Sequence, residues 1–314
     1  MKVKSIAILG IGGVGGFLGA KILSNRKNDE IKIDFISRGT TYDTIKSKGL
    51  LFTSPEKEEV LMPDGLILSG EGNVAYDLVI LATKSQSMES AIIENKSIFG
   101  ENTLVLPLQN MVNAAQSVRT LLDKSEVLDA CIYLISNVLE PGHIKHLGGP
   151  GKVIIGKPST DKYNWAFEFL AKCEVPLSLV EDVSTHLWKK FLFISSLGTL
   201  SAAYDVNFGD IRTKPELIKC WRSLMAELIL LAQKHGIALG DSDIEAAFEM
   251  ISNFPYTAKS SFQLDIERGI KGEKETLVDE VIKNSHNYDL ACPVYIELEE
   301  KISKRLSNVS ATNT

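Results

Sequence analysis

Hydrophobic residues follow two different patterns along the 314-residue chain, and the pattern changes near residue 182. In the first part, short apolar runs such as 77–83 and 102–108 are almost continuous. Runs of this kind are typical of parallel strands that are buried on both faces. In the second part, apolar residues recur every three or four positions, which is the pattern of amphipathic helices. The chain is therefore expected to form an α/β unit followed by an all-helical unit.

The apolar runs of the first part predict a sheet with helices between its strands. Strands are expected over residues 4–9, 31–37, 77–83, 102–108, 127–136, 142–148 and 151–157. Helices are expected up to about residue 25 and over 164–173, and the last strands are expected to pair partly antiparallel. This alternation predicts a Rossmann-type doubly wound parallel sheet with an antiparallel extension.

The same patterns predict where the domains begin and end. The first domain is expected to span residues 1–181 and the helical domain 182–307, with Pro215 and Gly236 as a helix start and a helix stop. Residues 308–314 are small and polar, and they are expected to form a frayed tail.

A glycine-rich turn connects the first expected strand to the first expected helix. Residues 10–15 read G-I-G-G-V-G, which matches the spacing G-x-G-x-x-G. In a dinucleotide-binding turn, the first glycine permits the tight turn, the second lets the backbone approach a pyrophosphate, and the third packs helix against strand. The sequence therefore predicts a dinucleotide site, with Gly10, Gly12 and Gly15 in those roles and the pyrophosphate at the helix N-terminus.

Two other interpretations of this segment remain. Lys2 and Lys4 before an apolar run resemble the start of a secretory signal, and a glycine-rich turn can exist without a ligand. A membrane-spanning helix needs about 20 mostly apolar residues. Glycines interrupt this run, and each costs a helix about 1 kcal/mol relative to alanine. The position between strand and helix favours the dinucleotide site.

The end of the second expected strand indicates which dinucleotide binds. NAD-type sites usually carry an acidic residue there, which holds the ribose hydroxyls. Here the strand ends in Ser37 and Arg38, and Asp34 lies within the strand, too early for its tip. A guanidinium suits a 2′-phosphate, so Arg38 favours NADP(H). The alternative is a solvated loop arginine.

The amino-acid composition mainly excludes certain partners, disulfide bonds and metal sites. The formal net charge is −6 and the sequence pI is about 5.5, which argues against nucleic acid or an anionic membrane as a partner. The four cysteines are far apart and form no C-x-x-C pair, which favours a reducing cytoplasm over a disulfide framework or a zinc site. His143 and His146 lack a third ligand nearby, so no metal is expected.

Polar residues at two strand ends and one helix carry candidate chemistry. Lys84 and Asn110 each follow an expected parallel strand, at the edge where open α/β sheets bind ligands. Lys189 and Lys190 lie on the first helix after the domain boundary. A ketone that accepts hydride develops negative charge on oxygen, and a positioned ammonium can stabilise that charge and supply the proton. The alternative is that these lysines are merely solvated, as most lysines are.

Taken in order, these motifs resemble those of the ketopantoate reductase (2-dehydropantoate 2-reductase) family over nearly the whole chain. The matching stretches are GIGGVGG at 10–16, SRG at 37–39, TK at 83–84, LQN at 108–110, PGHIKHLGGPGKVIIG at 141–156, W-K-K at 188–190 and SSFQLDIERGIKGE at 260–273. The resemblance implies an NADPH-binding Rossmann domain, a helical C-terminal domain and a cleft between them. It also implies reduction of a 2-oxo acid, with 2-dehydropantoate reduced to pantoate in pantothenate biosynthesis.

The resemblance further implies roles for individual residues. Lys190 corresponds to the catalytic lysine of the family, Glu273 to its active-site glutamate, and Ser261 to a serine that contacts substrate. Asn110 is implied to contact both cofactor and substrate, and Glu273 to contact substrate as well as to take part in catalysis. The positions implied to bind the cofactor are Gly10, Gly12, Gly13, Val14, Gly15, Arg38, Lys84 and Asn110.

Other positions depart from the family pattern. The family helix carries asparagines four and eight positions after its lysine, where this chain has Ile194 and Gly198. Ser201, one turn further, is expected to compensate in part. The reaction class is therefore better supported than the substrate. The first alternative to 2-dehydropantoate is a less polar 2-oxo acid or ketone.

A second alternative belongs to another class, a regulatory protein that binds NADPH without catalysis. The presence of both Lys190 and Glu273 argues against it, because a sensor needs neither. The sequence therefore predicts a cytoplasmic reductase of a small 2-oxo acid, and it leaves formation of a homodimer open.

Overall fold

A computed structural model describes residues 3–27 and 31–312 of the chain. These residues fall into two compact units. The first unit extends to Gln109 and then from Asn113 to Val183. The second comprises Asn110–Val112 and the chain from Ser184 onward, so a short segment near the middle of the sequence belongs to the later unit.

The first unit contains eleven strands among the described residues, and only the ninth and tenth are longer than seven residues. They are β1 (Lys4–Leu9), β2 (Ile31–Ser37), β3 (Leu50–Thr53), β4 (Glu58–Leu61), β5 (Gly65–Leu68), β6 (Leu78–Leu81), β7 (Leu104–Pro107), β8 (Glu126–Val127), β9 (Ala130–Glu140), β10 (His143–Gly156) and β11 (Leu177–Val180).

A parallel sheet forms the core of this unit. Among the described residues it has six strands in the order β5-β2-β1-β6-β7-β8, and every neighbouring pair runs parallel. Its central strands are apolar on both faces, since the successive residues Ile6 and Ala7 of β1 are both fully buried. The order reverses beside β1, as in doubly wound folds. The predicted fold class is confirmed.

A second sheet, with the order β11-β10-β3-β4, carries β9 antiparallel to β10. The sequence predicted two strands over 142–148 and 151–157, but the structure has one strand, β10, whose register shifts around Gly148. Gly148, Gly149 and Gly151 have positive φ values, which bend the strand without ending it. The short strands β3, β4 and β5 were not predicted.

Helices of the first unit cover the parallel sheet and connect its strands. They are α1 (Gly13–Asn25), α2 (Gly39–Lys48), α3 (Met88–Glu94), α4 (Ala114–Leu121) and α5 (Asn164–Lys172), with 3₁₀ turns at Ser85–Ser87, Lys96–Ile98 and Asp161–Tyr163.

Over residues 184–312 the second unit consists of helices joined by turns and loops, and it contains no strand. Its helices are α6 (Val183–Tyr204), α7 (Phe208–Thr213), α8 (Pro215–Lys234), α9 (Asp241–Ser252), α10 (Ser261–Glu267), α11 (Glu280–Asn287) and α12 (Pro293–Thr312), with a π-helical turn at Glu275–Asp279. Helix α8 begins at Pro215 and ends before Gly236, whose φ is +77°, so both punctuation signals are confirmed. No helix in the described part of the chain is long and apolar enough to cross a membrane.

Helix α12 corrects one prediction and carries an unusual cap. It continues to Thr312, so residues 308–312 are helical rather than frayed, while residues 313 and 314 lie outside the described residues. Its first amides are bound by α8, because the Glu227 carboxylate accepts hydrogen bonds from Val294 N (2.9 Å) and Tyr295 N (3.0 Å). Burial raises the pKa of Glu227, although the hydrogen bonds from the two backbone amides oppose that shift.

Candidate active site

The glycine turn lies between β1 and α1, as the sequence predicted. Gly10 has a φ of +96°, which an L side chain rarely adopts. Gly12 is the N-cap of α1, so no side chain caps the first amides of the helix, and the first turn carries no acidic residue. Uncapped amides at a helix N-terminus attract an anionic group.

The contacts that a Cβ would make at each glycine show which glycines are required by the packing of the fold. A Cβ on Gly15 would lie 2.0 Å from Gly10 O, and one on Gly13 would lie 2.4 Å from Ser136 O, so the fold itself requires glycine at both positions. At Gly12, whose φ of −97° suits any residue, a Cβ would meet no atom within 4 Å in the part of the chain that the structure describes. Packing among the described residues therefore does not explain Gly12, and its role in binding a dinucleotide stays a prediction.

Three buried polar atoms at the carboxyl edge of the parallel sheet lack hydrogen-bond partners within the described chain. They are Ser37 Oγ at the end of β2, Thr83 Oγ1 after β6 and Gln109 Oε1 after β7. The Gln109 amide is held in place, because its Nε2 donates to Leu81 O and Thr83 O, both at 3.1 Å. Unsatisfied buried polar atoms are rare in folded proteins, so this edge fits a polar ligand such as a dinucleotide.

The predicted cofactor residues Arg38 and Lys84 are both on the surface of the first unit. Arg38 is the N-cap of α2, and 62 % of its side chain is exposed. Its Nη1 lies 3.8 Å from Glu94 Oε1. Lys84 is exposed and precedes the 3₁₀ turn Ser85–Ser87. The structure thus leaves both cations accessible from solvent.

In the second unit, one amide joins the predicted lysine to the predicted glutamate. Lys190 is only 8 % exposed, and its Nζ donates to Asn110 Oδ1 at 2.9 Å. Asn110 Nδ2 in turn donates to Glu273 Oε2 at 3.1 Å, with Oε1 at 3.4 Å. We call these three residues the polar chain. Ammonium, amide and carboxylate alternate along it, so each donor meets an acceptor.

The backbone that carries Glu273 is fixed on both sides. Gly272 has a φ of +55°, and a Cβ there would lie 2.7 Å from Asp265 Oδ2. Lys274, 5 % exposed, places its Nζ 2.6 Å from Asp279 Oδ1 and 2.7 Å from Glu299 Oε1. The pair with Asp279 spans the π-helical turn, an element that is frequent at functional sites.

The neighbouring lysine, Lys189, lies outside the polar chain. Its side chain is 48 % exposed and pairs with Asp243 Oδ1 of α9 at 3.0 Å. Successive helical residues point about 100° apart, which is why adjacent lysines reach different surroundings. Lys190 is therefore the buried lysine of the two, and the catalytic role that the resemblance implies for it stays a prediction.

The residues that the resemblance placed near the substrate have very different surroundings in the structure. Ser261 is exposed at the first residue of α10, and hydrogen bonds do not tie it to the polar chain within the described residues. A Cβ on Gly198 would lie 3.5 Å from Phe262 and 3.7 Å from Leu277, so this position faces apolar carbon. The compensation expected from Ser201 has no support in the structure, because that hydroxyl is buried and bonded to Gly198 O and Ser260 Oγ.

Sequence reasoning missed several polar residues that the structure places at these sites. Gln109 could have been noticed, since it adjoins Asn110 after a buried strand. The role of Lys274 has no local signal, because it lies in the charged run KGEKE, which resembles exposed surface. Glu94 lies in sequence far from Arg38, and only the fold brings the two together.

The six-stranded parallel sheet, with its glycine turn at the uncapped N-terminus of α1, places the first unit in the class of Rossmann-type α/β folds. Comparison with known proteins narrows this class. Residues 6–160 match the family described as ketopantoate reductase PanE/ApbA, and residues 182–302 match the C-terminal domain of that family. The chain belongs to the ketopantoate reductase family.

Individual relatives are distant. A 2-dehydropantoate 2-reductase of Aquifex aeolicus is 25% identical over 247 residues, which cover 75% of this chain and 79% of that protein. A family ketopantoate reductase structure from Ralstonia eutropha JMP134 aligns with a TM-score of 0.88 at 24% identity, covering 98% and 99% of the two chains. A D-mandelate dehydrogenase solved with NADH and anilino(oxo)acetate also gives 0.88, at 19% identity and the same coverage. The two structures show a shared fold.

Proposed function

We propose that the protein uses NADPH to reduce a 2-oxo acid to the 2-hydroxy acid, with 2-dehydropantoate as the first candidate substrate. The observation that carries this proposal is the polar chain from Lys190 through Asn110 to Glu273. An oriented, largely buried ammonium is suited to act on a carbonyl oxygen. Family membership and the Aquifex relative support the same reaction class.

Each residue of the polar chain has a distinct task in this reaction. Bound NADPH would supply the hydride that adds to the ketone carbon. As the C–H bond forms, the π electrons of the carbonyl move onto oxygen. Lys190 would stabilise that charge and donate the proton that completes the hydroxyl group. Asn110 would orient the ammonium, and Glu273 would orient Asn110.

The cofactor is assigned to the first unit. The space at Gly12 and the uncapped amides of Gly13, Val14 and Gly15 support a pyrophosphate at the N-terminus of α1. Ser37 and Thr83 offer the same ligand hydroxyls that have no hydrogen-bond partner among the described residues. Following the family pattern, Arg38 would bind the 2′-phosphate and Lys84 would lie towards the nicotinamide.

A less polar 2-oxo acid is the second candidate substrate. The apolar surroundings of Gly198 favour it. 2-Dehydropantoate brings a carboxylate and a terminal hydroxyl in addition to its ketone. Polar groups left unpaired on burial weaken binding. Ile194 offers methyl groups, and Gly198 faces Phe262 and Leu277. We therefore expect weaker selection for the terminal hydroxyl than in relatives that carry asparagines.

Steady-state NADPH oxidation over a panel of 2-oxo acids tests the reaction. The panel contains 2-dehydropantoate, 2-oxoisovalerate, pyruvate and phenylglyoxylate, the last because one structural neighbour is a D-mandelate dehydrogenase. We expect turnover that falls by about 10²–10⁴-fold in Lys190→Ala. Tight NADPH binding without turnover of any panel member would instead support the regulatory protein.

The panel also separates the two candidate substrates. Efficient and preferred turnover of 2-dehydropantoate would support the first, and preference for an apolar acid would support the second. Ile194→Asn is the matched variant, expected to raise kcat/KM for 2-dehydropantoate relative to 2-oxoisovalerate. Gly198→Asn is less suitable, because a Cβ at that position is already in van der Waals contact with Phe262 and Leu277, and the amide would pack against apolar carbon.

A further inference from the structure

The guanidinium at the tip of β2 has an acidic neighbour. Arg38 Nη1 lies 3.8 Å from Glu94 Oε1, and the two side chains are 62 % and 43 % exposed. Glu94 is the last residue of α3, which follows β6 rather than β2. An acidic side chain is thus present beside the strand tip, although the strand itself ends without one.

Glu94 is held at this place by the end of β5. Ser69 Oγ donates to Glu94 Oε2 at 3.2 Å, and Ser69 N donates to Ser37 O at 2.9 Å, which ties this turn to the tip of β2. The next residue, Asn95, is fully buried and binds the same turn, with Nδ2 donating to Ser69 Oγ and Oδ1 accepting from Gly70 N, both at 2.9 Å. The carboxylate is therefore anchored beside Arg38.

We propose that Glu94 is a specificity-determining residue that lowers the preference of this protein for NADPH over NADH. The inference rests on the proposed function, in which Arg38 binds the 2′-phosphate. A phosphate at Arg38 has to share the guanidinium with Glu94 and lies close to a like charge. A 2′-hydroxyl meets no such repulsion, and the carboxylate can accept its hydrogen bond.

The expected size of the effect follows from Coulomb's law. Two negative groups several ångströms apart at an exposed site interact through water, which weakens and screens their repulsion. Removing the charge of Glu94 should tighten NADPH binding by about threefold to tenfold. The effect should shrink as salt concentration rises. NADH, which lacks the phosphate, should bind as before or more weakly.

Direct titration of NADPH and NADH, followed by nicotinamide fluorescence, measures both dissociation constants without turnover. The proteins are the wild type, Glu94→Gln and the control Glu89→Gln, which removes an exposed carboxylate from the first turn of the same helix. We expect the ratio of the NADH constant to the NADPH constant to rise in Glu94→Gln and to stay constant in Glu89→Gln.

Two results would overturn the inference. One is an unchanged ratio in Glu94→Gln with both nucleotides bound, which leaves the proposed reductase intact. The other is an equal rise in Glu89→Gln, which would mean that general surface charge sets the preference. Failure of the wild type to bind either nucleotide would instead remove the proposed function, and the role of Glu94 with it. Circular dichroism of each variant confirms folding before titration.

Discussion

The Lys190 ammonium donates a hydrogen bond of 2.9 Å to Asn110, a residue 80 positions earlier in the sequence. The same amide donates to Glu273, 163 positions later. Its orientation is fixed by charge, because a flipped amide would turn its NH₂ group towards the ammonium and its oxygen towards the carboxylate. Asn110 therefore transmits the position of Glu273 to the end of the Lys190 side chain.

Replacing Asn110 tests this arrangement. Asn110→Ala should lower kcat about 5–150-fold, the rate equivalent of the roughly 1–3 kcal/mol lost when buried charged groups lose a partner. Steady-state kinetics with the best substrate of the panel checks this. Asn113→Ala, which changes an exposed asparagine three residues away, is the matched control. Equal losses in both variants would contradict the role of Asn110.

Replacing each of the two adjacent lysines should have a different effect, on catalysis for Lys190 and on stability for Lys189. Lys190→Ala should reduce kcat while leaving NADPH affinity within about twofold, because Lys190 acts on charge that forms in the transition state. Lys189→Ala breaks a partly exposed ion pair with Asp243 and should cost at most about 1 kcal/mol of stability. Single-turnover rates and thermal unfolding separate the two effects. A larger kcat loss in Lys189→Ala would reverse the assignment.

Arg38→Ala should discriminate between the two nucleotides. The variant should weaken NADPH binding by about 1–2 kcal/mol, near the lower end for a charge-assisted contact because Arg38 is largely exposed, and should leave NADH binding nearly unchanged. Paired titrations give both values from one preparation, with NADH as internal control. A wild type that binds the two nucleotides equally, with no change in Arg38→Ala, would remove Arg38 from the site.

Two alanine substitutions in the glycine turn should separate ligand binding from folding. Gly12→Ala should weaken NADPH binding while the unfolding temperature changes little, because its Cβ meets no atom of the described residues within 4 Å. Gly15→Ala should lower the unfolding temperature, because its Cβ would lie 2.0 Å from Gly10 O. Calorimetry and nucleotide titration measure the two responses. A loss of stability in Gly12→Ala equal to that of Gly15→Ala would argue against a ligand at Gly12.

Lys274 should make stability sensitive to alkaline pH. Burial alone would lower its pKa, but hydrogen bonds to Asp279 and Glu299 outweigh burial and raise the pKa above its ordinary value of 10.5. A lysine with a raised folded pKa stabilises the protein fully below its unfolded pKa, and this stabilisation is lost as pH rises through the folded pKa. The free energy of unfolding should therefore fall above about pH 10.5.

Lys274→Met provides the comparison for that pH profile. The variant keeps most of the side-chain volume but should lose about 2 kcal/mol at neutral pH, since Asp279 and Glu299 lose a shared partner. Its stability should then depend less on pH in the alkaline range. Denaturant unfolding at pH 7 and at several alkaline values measures both quantities, and parallel curves for the two proteins would contradict the role of Lys274.

Structural features that depend on neighbouring residues could be predicted from the sequence, whereas those that depend on distant residues could not. The turn at Gly10–Gly15 was predictable, because glycine spacing and the flanking apolar runs lie within a few residues. Strands β3, β4 and β5 were not, because four-residue strands that are half exposed carry little pattern. Family resemblance supplied Lys190 and Glu273 as individual residues. The amide between them, and the carboxylate beside Arg38, depend on long-range packing that no local pattern encodes.

The cap that Glu227 places on α12 delays folding of the helical unit until the end of the chain has been synthesised. A ribosome completes the chain of the first unit at residue 183, whereas the helical unit needs Tyr295, which is fully buried, and the amides that satisfy Glu227. Until these residues are synthesised, the nascent helices expose apolar surface that has nothing to cover it. Exposed apolar surface of this kind makes an incomplete chain prone to aggregate, so synthesis of α12 ends the period of greatest risk.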